Sequence, residues 1–320
     1  MSEPIRILIA DDMSKRAVEI LQQAGFTVDV KTGMKPEELA GAVGEYDGLG
    51  IRSASKVTAA VLANPGKLKI IGRAGVGVDN IDVAAATAKD IKVINTPAGN
   101  STAAAELAIG LVFALARKIP QAAELMRKGV WEKKKFMGVE LAGKTLGVLG
   151  LGNIGRQAAE RGVGLKMRVI AHDPMLPVLA AGAAVPAGVE IVPFAQLVER
   201  SDFLTLHVPL TAETKDLFNA AMLARMKKGA CIINAARGGV INENDLLEAL
   251  KSGHLGGAAL DVFTKEPPDA SPLFEQENLI ALPHLGASTK EAQEKVAIEL
   301  AEVFVSYLRD GQIRNLVNRK

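Results

Sequence analysis

The sequence predicts an α/β protein made of two doubly wound domains, each built around a parallel sheet. Short apolar runs, the length of buried strands, alternate with amphipathic helical patterns along the whole chain. A glycine-rich turn separates one such run from a helical pattern near the middle of the chain, where a second strand–helix series begins. With 320 residues and 48% hydrophobic content, the chain can bury two medium-sized cores.

The first strand–helix series fills the first hundred residues. Its amphipathic patterns predict helices over residues 14–23 and 36–43. Five parallel strands with helices between them can close a sheet without the rest of the chain, so we expect a separate domain here. The predicted strands cover residues 5–10, 27–31, 48–52, 69–72 and 92–95.

The second series follows a long helix that is predicted to begin near Ser101 and to end before Pro120. A last helix is predicted over residues 290–308, because Ser288 and Glu291 have the spacing of a capping box. Six strands, the size of a complete dinucleotide-binding sheet, are predicted over residues 145–149, 168–172, 203–207, 230–234, 257–262 and 279–282. Both sheets are therefore expected to be Rossmann-like or flavodoxin-like.

The amino-acid composition limits the cellular location and the binding partners that we expect for this protein. The 38 basic and 36 acidic residues leave a net charge of +2, so neither a nucleic acid nor a membrane is an expected partner. The single cysteine, Cys231, excludes an intrachain disulfide and a cysteine-rich metal site, and its apolar run predicts a buried strand thiol. No signal-peptide pattern opens the sequence, and the longest apolar helical stretch, residues 103–116, is too short for a membrane span. A cytoplasmic protein without a metal is expected.

The candidate cofactor site is the turn Gly150-Leu151-Gly152-Asn153-Ile154-Gly155, which joins a predicted strand to a predicted helix. In such turns the first glycine permits the tight bend, the second admits a pyrophosphate and the third lets helix and strand pack closely. Asp173 ends the next predicted strand, 18 residues after Gly155, near the spacing of a ribose-binding carboxylate. Its charge would repel a 2′-phosphate, which predicts NAD as the cofactor and disfavours NADP. The alternative is a structural turn with a surface aspartate.

Three polar residues follow predicted strands of the second series, where ligands of open α/β sheets bind: Arg237, Glu266 and His284. Oxidation of a 2-hydroxy acid needs a base, and a histidine, with an ordinary pKa of about 6.5, suits that role. A carboxylate would orient the ring, and a guanidinium would bind the substrate carboxylate. Each residue alone is more often structural, and His172 and His254 are interpreted that way. Arg237, Glu266 and His284 are all expected at one edge of the sheet, which makes a catalytic role the better hypothesis for these three residues.

These motifs resemble the D-isomer-specific 2-hydroxyacid dehydrogenase family over essentially the whole chain. The resemblance rests on the glycine turn and on residues 71–82, 95–97, 234–239 and 282–284 (IGRAGVGVDNID, NTP, NAARGG and LPH). Within the family, residues 51–58 and 131–138 are most similar to enzymes that oxidise D-3-phosphoglycerate.

The resemblance implies a substrate-binding domain of residues 1–99 and 288–320, an NAD-binding domain of residues 100–287, and an active-site cleft between them. It implies that Arg237 binds the substrate, that His284 is the acid–base group and that Glu266 is its partner. It also implies a homodimer, with the helix that begins at Ser101 near the interface.

Further binding residues are implied by the same resemblance. On the cofactor side, in addition to the glycine turn and Asp173, they are His207, Val208, Pro209, Ala235, Ala236, Asp261 and Gly286. On the substrate side they are Arg52, Ser53, Arg73, Val76, Gly77 and Asn100. The basic run at residues 133–135 would either reach a neighbouring subunit's site or form a solvated surface.

The activity implied is NAD-dependent oxidation of D-3-phosphoglycerate to 3-phosphohydroxypyruvate, a step of serine biosynthesis. The alternatives are a glyoxylate, hydroxypyruvate or other D-2-hydroxyacid reductase, and, from a different class, an NAD-sensing binding module without turnover. The sequence ends at Lys320, soon after the last predicted helix, so we expect no C-terminal regulatory domain and no serine feedback through one.

Overall fold

The computed structural model describes residues 3–176 and 185–318. The chain divides into two compact units, one of Met1–Ser101 with Ala287–Lys320 and one of Thr102–Gly286. Each is an α/β unit around a parallel sheet, as the sequence predicts. No helix among the described residues is long and apolar enough to cross a membrane.

The first unit contains a five-stranded parallel sheet in the order β2-β1-β3-β4-β5. This order reverses direction between β1 and β3, and ligands of doubly wound sheets bind at the carboxyl ends of such a strand pair. Its strands are β1 (Arg6–Ile9), β2 (Thr27–Val30), β3 (Gly48–Ile51), β4 (Ile70–Arg73) and β5 (Lys92–Asn95), and its helices are α1 (Lys15–Gln23), α2 (Pro36–Ala42), α3 (Val83–Ala88) and α10 (Lys290–Asp310).

Helix α10 completes this unit by packing on the sheet. Phe304 is fully buried, and a Cβ at Gly72 would lie only 2.6 Å from its ring. A Cβ at Gly48 would lie 3.3 Å from the same ring, so β3 and β4 lack side chains where the aromatic ring lies. This close fit explains why residues far apart in sequence form one core. The cap of α10 is Thr289, whose hydroxyl accepts from Ala292 N, so the prediction of Ser288 as the cap is wrong.

The second unit contains a seven-stranded parallel sheet in the order β12-β11-β10-β9-β6-β7-β8. Its strands are β6 (Thr145–Leu149), β7 (Arg168–His172), β8 (Val189–Ile191), β9 (Phe203–Leu206), β10 (Cys231–Asn234), β11 (Gly257–Leu260) and β12 (Leu279–Ala281). Its helices are α4 (Ser101–Arg117), α5 (Ile119–Arg127), α6 (Asn153–Gly164), α7 (Phe194–Arg200), α8 (Ala220–Ala224) and α9 (Glu243–Lys251). As predicted, Cys231 lies buried in a strand, and burial raises the pKa of its thiol to about 12.

Two elements of this unit differ from the sequence prediction. The edge strand β8 spans only three residues, two of them exposed, and such a strand has too little apolar alternation to stand out in sequence. The chain is also helical beyond Pro120, because the left-handed Lys118 (φ 51°) ends α4 and α5 begins immediately after it. Pro120 then lies in the first turn of α5, where a missing N–H costs no helical hydrogen bond.

Candidate active site

The predicted cofactor and catalytic residues of the second unit follow the carboxyl ends of neighbouring strands. Parallel strands end at the same edge of a sheet, so these residues share one edge. Strands β6 and β9 are neighbours there although β7 and β8 separate them in sequence, which makes their carboxyl ends the point of reversal. The residues that follow β12, β11, β10, β9, β6 and β7 are His284, Asp261, Arg237, His207, Gly150 and Asp173.

The glycine turn after β6 combines close packing with open space. Gly150 has a φ of 92°, and a Cβ there would lie 2.6 Å from His207 O and 3.2 Å from Val208 Cγ1. A Cβ at Gly155 would overlap the carbonyl oxygen of Gly150, so α6 can approach β6 only without a side chain at this position. Among the described residues, and apart from its two neighbours in the chain, no atom lies within 4 Å of a Cβ built at Gly152. The middle glycine therefore borders space that a ligand can enter.

Helix α6 begins in this turn with Asn153 and Ile154, and its N-cap, Gly152, provides no side-chain cap. Uncapped N–H groups at a helix N-terminus, together with the helix dipole, favour a bound phosphate. These features fit the pyrophosphate of a dinucleotide, and Gly152, Asn153 and Ile154 are the residues that could hold it.

Asp173 is fixed at the end of β7 by two backbone groups. Its Oδ2 accepts from Leu151 N at 2.7 Å, and its Oδ1 accepts from Met175 N at 2.8 Å. A carboxylate has about four acceptor positions, so it can still accept hydrogen bonds from the ribose hydroxyls of NAD. The side chain also ties the glycine turn to the neighbouring strand.

The segment after β9 contains His207, Val208 and Pro209. The ring Nε2 of His207 lies 3.0 Å from Thr205 Oγ1, and desolvation lowers the pKa of His207 to about 4. The ring is therefore neutral near pH 7. Pro209 O accepts from Thr214 Oγ1 at 2.6 Å, which fixes the end of the segment.

Arg237 lies in a turn that the buried Asn234 organises. Asn234 Oδ1 accepts from Ala236 N at 3.1 Å, and Nδ2 donates to Arg237 O at 2.8 Å. A Cβ at Gly238 would overlap the carbonyl of Phe263, so the turn after β10 lies directly against the segment after β11. The backbone thus brings Arg237 next to the segment that leads to Glu266.

Asp261 is completely buried after β11 and binds the segment that follows His284. Its two carboxylate oxygens accept from Leu285 N at 2.6 Å and Gly286 N at 2.8 Å. Burial raises the pKa of Asp261, and the two N–H donors oppose that rise. A Cβ at Gly286 would lie 3.3 Å from Asp261 Oδ2 and 3.9 Å from Ala235 O, so these predicted cofactor residues are brought together.

Glu266 and His284 form a hydrogen-bonded pair. Glu266 Oε2 lies 2.7 Å from His284 Nδ1, and Glu266 Oε1 accepts from Phe263 N at 3.1 Å. His284 has a φ of 56°, in the left-handed region that residues with a Cβ rarely adopt. The hydrogen bonds from the next two residues to Asp261 hold this backbone in place. Within the described part of the chain, nothing hydrogen-bonds the other ring nitrogen, Nε2, of the half-exposed His284.

A cavity of about 470 Å³ adjoins this pair. Its wall is mostly apolar, and the rings of Phe263 and Phe274 meet in it edge to face at 5.4 Å. The remaining lining residues are Glu266, Pro267, Pro268, Ala281, Leu282, Pro283 and His284.

The predicted substrate residues of the first unit lie on two loops and at the start of α4. Arg52 and Ser53 follow β3, and Arg52 Nη1 donates to Asp12 O at 3.1 Å. Val76 and Gly77 follow the end of β4 at Arg73. A Cβ at Gly75 (φ 150°) would lie 2.5 Å from Arg73 Nη1, so this glycine makes room for the guanidinium. The sixth residue, Asn100, has a buried Oδ1 that accepts no hydrogen bond within the described residues.

Sequence reasoning missed the buried residues that hold these loops. Thr96 Oγ1 accepts from Gly75 N at 2.7 Å, and Asn95 Nδ2 donates to Val76 O at 2.5 Å. Asp11 and Asn80 bind the loop after β3 in a similar way. The sequence did contain a signal for Asp11, because a polar residue directly after an apolar strand lies at the edge of the sheet where ligands bind.

Other side chains lie outside this constellation. The interpretation of His172 and His254 as structural agrees with their contacts, since each ring faces a backbone carbonyl, of Val192 at 3.0 Å and of Leu223 at 3.1 Å. The basic run forms a short exposed 3₁₀ helix, Lys133–Phe136, in which Lys135 Nζ lies 3.4 Å from Glu277 Oε1. No group of three or more His, Cys, Asp or Glu residues that could hold a metal occurs in residues 3–176 and 185–318.

Comparison with known proteins identifies the family. Residues 109–286 match the family described as the D-isomer specific 2-hydroxyacid dehydrogenase, NAD binding domain. D-3-phosphoglycerate dehydrogenases from Pongo abelii and Archaeoglobus fulgidus are 47% and 46% identical over 98% of this chain. The chain spans 58% and 59% of the length of these relatives.

A glyoxylate reductase from Paecilomyes thermophila has a similar structure, with a TM-score of 0.87 and 29% identity over 99% of both chains. The glycine turn and Asp173 thus occur within a matched NAD-binding domain, and that match covers more than half of the sequence. The chain therefore belongs to the D-isomer-specific 2-hydroxyacid dehydrogenase family.

Proposed function

We propose that this protein oxidises D-3-phosphoglycerate to 3-phosphohydroxypyruvate with NAD, a reaction of serine biosynthesis. The observation that carries the chemistry is the 2.7 Å contact between Glu266 and His284, at the same sheet edge as the glycine turn. The substrate assignment is supported by the D-3-phosphoglycerate dehydrogenases that match 98% of this chain.

His284 and Glu266 act as the acid–base pair in this proposal. As the substrate is oxidised, the hydroxyl proton on C2 passes to His284 Nε2, while Glu266 accepts the N–H at Nδ1 and stabilises the imidazolium. NAD, when bound, accepts the hydride from C2. In the reverse direction the protonated ring returns its proton to the 2-oxo oxygen.

Arg237 is the proposed binder of the substrate carboxylate and the polariser of the C2 oxygen. Its planar guanidinium can donate two parallel hydrogen bonds to a carboxylate, which fixes the substrate's orientation. Asn234 and the close approach of Gly238 to Phe263 hold its backbone beside the Glu266 segment.

The first unit is proposed as the substrate-binding domain, with the matched NAD-binding domain in the second. Backbone groups of Ser53, Val76 and Gly77 would contact the substrate. Arg52, Arg73 and Asn100 would lie near its phosphate, because a phosphate requires cations and hydrogen-bond donors. The cleft between the domains remains a prediction of the sequence.

The proposed roles of the NAD contacts are those that the family resemblance implies. Asp173 would bind the ribose hydroxyls and His207, Val208 and Pro209 would border the adenine. Ala235, Ala236, Asp261 and Gly286 would border the nicotinamide, whose carboxamide can both donate and accept hydrogen bonds.

A second candidate substrate is a smaller 2-oxo acid such as glyoxylate or hydroxypyruvate. The structural similarity to a glyoxylate reductase favours it. An NAD-sensing module without turnover is the least supported alternative, because the Glu266–His284 pair is complete.

The test is a substrate panel on purified protein. We expect turnover of D-3-phosphoglycerate with NAD and much less with NADP, and an Arg52→Ala, Arg73→Ala double variant should lose more activity on the phosphorylated acid than on glyoxylate. Brisk glyoxylate reduction without turnover of D-3-phosphoglycerate would overturn the substrate assignment. NAD binding without turnover of any 2-hydroxy acid would support the sensing module.

The protein is also proposed to be a cytoplasmic homodimer. Large apolar side chains are exposed on and after α4 and α5, which is unusual for a surface that meets only water. The lone cysteine is in accord with a reducing compartment. Light scattering should give twice the 33.6 kDa chain mass, and a monomer would contradict the proposal. The exposed residues are Phe113, Ile119, Met126, Trp131 and Met137.

A further inference from the structure

The loop after β3 is attached to the end of β1 by one buried carboxylate. Asp11, only 4% exposed, accepts from Arg52 N at 2.6 Å and Ser55 N at 3.2 Å through Oδ2. Its Oδ1 accepts from the hydroxyl of Ser55 at 2.6 Å. Three donors from one short loop therefore converge on a single side chain.

Asn80 binds the carbonyl groups of the same loop. Its Nδ2 donates to both Arg52 O and Ser55 O, each at 2.7 Å. The N–H and carbonyl groups at both ends of the loop are thereby bound. Among the described residues, nothing accepts a hydrogen bond from the N–H of the exposed Ser53 or Ala54. Two adjacent donors remain available in the middle of a loop whose ends are fixed.

The position of the loop is as informative as its contacts. It lies at the carboxyl ends of β1 and β3, the strands between which the order β2-β1-β3-β4-β5 reverses. Ligands of doubly wound sheets bind at that point. Successive free N–H groups in a turn favour an anion.

We propose that Asp11, Ser55 and Asn80 are positioning residues that hold the Ser53 and Ala54 N–H groups toward an anionic group of the substrate. The proposal rests on the proposed function, in which Ser53 contacts the substrate, and it adds the groups that set that contact. None of the three acts on the reacting atoms. Their effect is to remove the loop's freedom before the substrate binds, which lowers the entropy lost on binding.

Variants at Asp11 provide the main test. Asp11→Ala removes all three acceptor contacts, and we expect the KM for the 2-hydroxy acid to rise at least about tenfold, a common cost of a misplaced binding group. The Kd for NAD should change less than about twofold, because the glycine turn is in the other unit. Asp11→Asn should restore most of the affinity, since its amide oxygen can replace Oδ2 and its NH₂ can donate to Ser55 Oγ.

Asp47 offers a matched control at the other end of the same two strands. It is 7% exposed, accepts from Arg6 N at 3.0 Å just before β3, and so links β1 to β3 at their amino ends. Asp47→Ala should lower stability without raising the KM. Equal KM effects of Asp11→Ala and Asp47→Ala would show general loosening of the unit and would overturn the proposal.

Asn80→Asp tests the second half of the clamp. The substituted carboxylate would face the carbonyls of Arg52 and Ser55 and repel them, so this nearly isosteric change should also raise the KM. Unchanged KM values in both Asp11→Ala and Asn80→Asp would contradict the role assigned to these residues.

Hydrogen exchange separates a failure of this proposal from a failure of the proposed function. In Asp11→Ala, the amides of Arg52 and Ser55, which lose their acceptor, should exchange faster than in the wild-type protein, and in Asp11→Asn they should remain protected. If D-3-phosphoglycerate is not turned over, the substrate assignment fails, and KM values are measured with whichever acid the panel identifies. Unaltered exchange in Asp11→Ala overturns the clamp whatever the substrate, and faster exchange with an unchanged KM overturns its role in binding.

Discussion

The carboxyl edges of the two sheets present different kinds of chemical group. In the first unit, the loops after β3 and β4 carry free backbone N–H groups and half-buried arginines, and buried side chains such as Asp11 and Thr96 hold the loops in place. In the second unit, the edge presents the titratable pair Glu266 and His284. Glu266 accepts a hydrogen bond from Phe263 N. The backbone after His284 is held by Asp261, which accepts from Leu285 N and Gly286 N.

The difference shows how one architecture can serve two tasks. A fixed backbone can recognise an anion without gaining or losing a proton, which suits binding. A side chain with a titratable nitrogen can move a proton, which suits catalysis. The comparison predicts that substitutions at the first edge alter the KM for the acid. Apart from Arg237, the proposed binder of the substrate carboxylate, substitutions at the second edge should alter kcat or the affinity for NAD.

The largest effect is expected for His284→Ala. Loss of the base should lower kcat by ~10²- to 10⁴-fold while NAD still binds. His254→Ala is a matched control, because the Nε2 of that ring lies 3.1 Å from Leu223 O, away from the proposed acid–base pair, and the variant should keep near-normal kcat. A His284→Ala enzyme with wild-type turnover would show that another group supplies the base.

Glu266→Gln should have the next largest effect. The amide retains the shape of the carboxylate but not its charge, so the imidazolium loses its stabilising partner, and kcat should fall roughly 10- to 100-fold. Glu243→Gln is the control, because Glu243 accepts from Thr264 N at 2.7 Å in the neighbouring segment and is not part of the proposed acid–base pair. Steady-state kinetics would give kcat for both variants. An equal fall in kcat in the two variants would contradict the role proposed for Glu266.

A smaller effect is expected for Asp173→Ala, which should raise the KM for NAD by about tenfold through the loss of charged hydrogen bonds. It should also narrow the preference for NAD over NADP, because the charge that repels a 2′-phosphate is gone. The KM for the acid should not change. If the KM for the acid rose as much as the KM for NAD, the proposed division of tasks between the two sheet edges would be contradicted.

The smallest effect concerns stability and pH. The pKa of His207 is lowered to about 4, so the folded protein binds fewer protons than the unfolded chain below the ordinary histidine pKa of 6.5. Stability is therefore lost as the pH falls from about 6.5 toward 4, because the unfolded chain takes up a proton at this residue that the folded protein does not. His207→Asn should lose less stability than the wild-type protein over this range in urea titrations. Parallel losses in the two proteins would show that carboxylates alone cause acid unfolding.

The sequence predicted the fold well where apolar periodicity is strong. Eleven strands were predicted from short apolar patterns, the half-exposed β2 among them, whereas the edge strand Val189–Ile191 spans only three residues and was missed. Helix α5 was missed because Pro120 reads as a helix end, and only the left-handed Lys118 permits a new helix to start there. The helix propensity of Pro120 alone does not predict the left-handed conformation of Lys118, two residues earlier.

The site followed the same pattern. Gly150, Gly152 and Gly155 were predictable because glycine is required where a turn, an open approach or a close helix contact excludes a Cβ. Asp11 and Thr96 were not, because a hydrogen bond from a side chain to a distant loop has no periodic signature. Such contacts depend on which strands become neighbours, and that is fixed only by the assembled sheet.

The most direct test of the central claim follows the hydride and the proton in one experiment. Wild-type protein would be incubated with NAD and D-3-phosphoglycerate that carries deuterium at C2, and the NADH analysed by mass spectrometry. We expect deuterium in NADH with the wild-type protein, and a single-turnover rate at least about 100-fold lower with His284→Ala at saturating NAD. NADH without deuterium, or transfer at the wild-type rate without His284, would contradict this account.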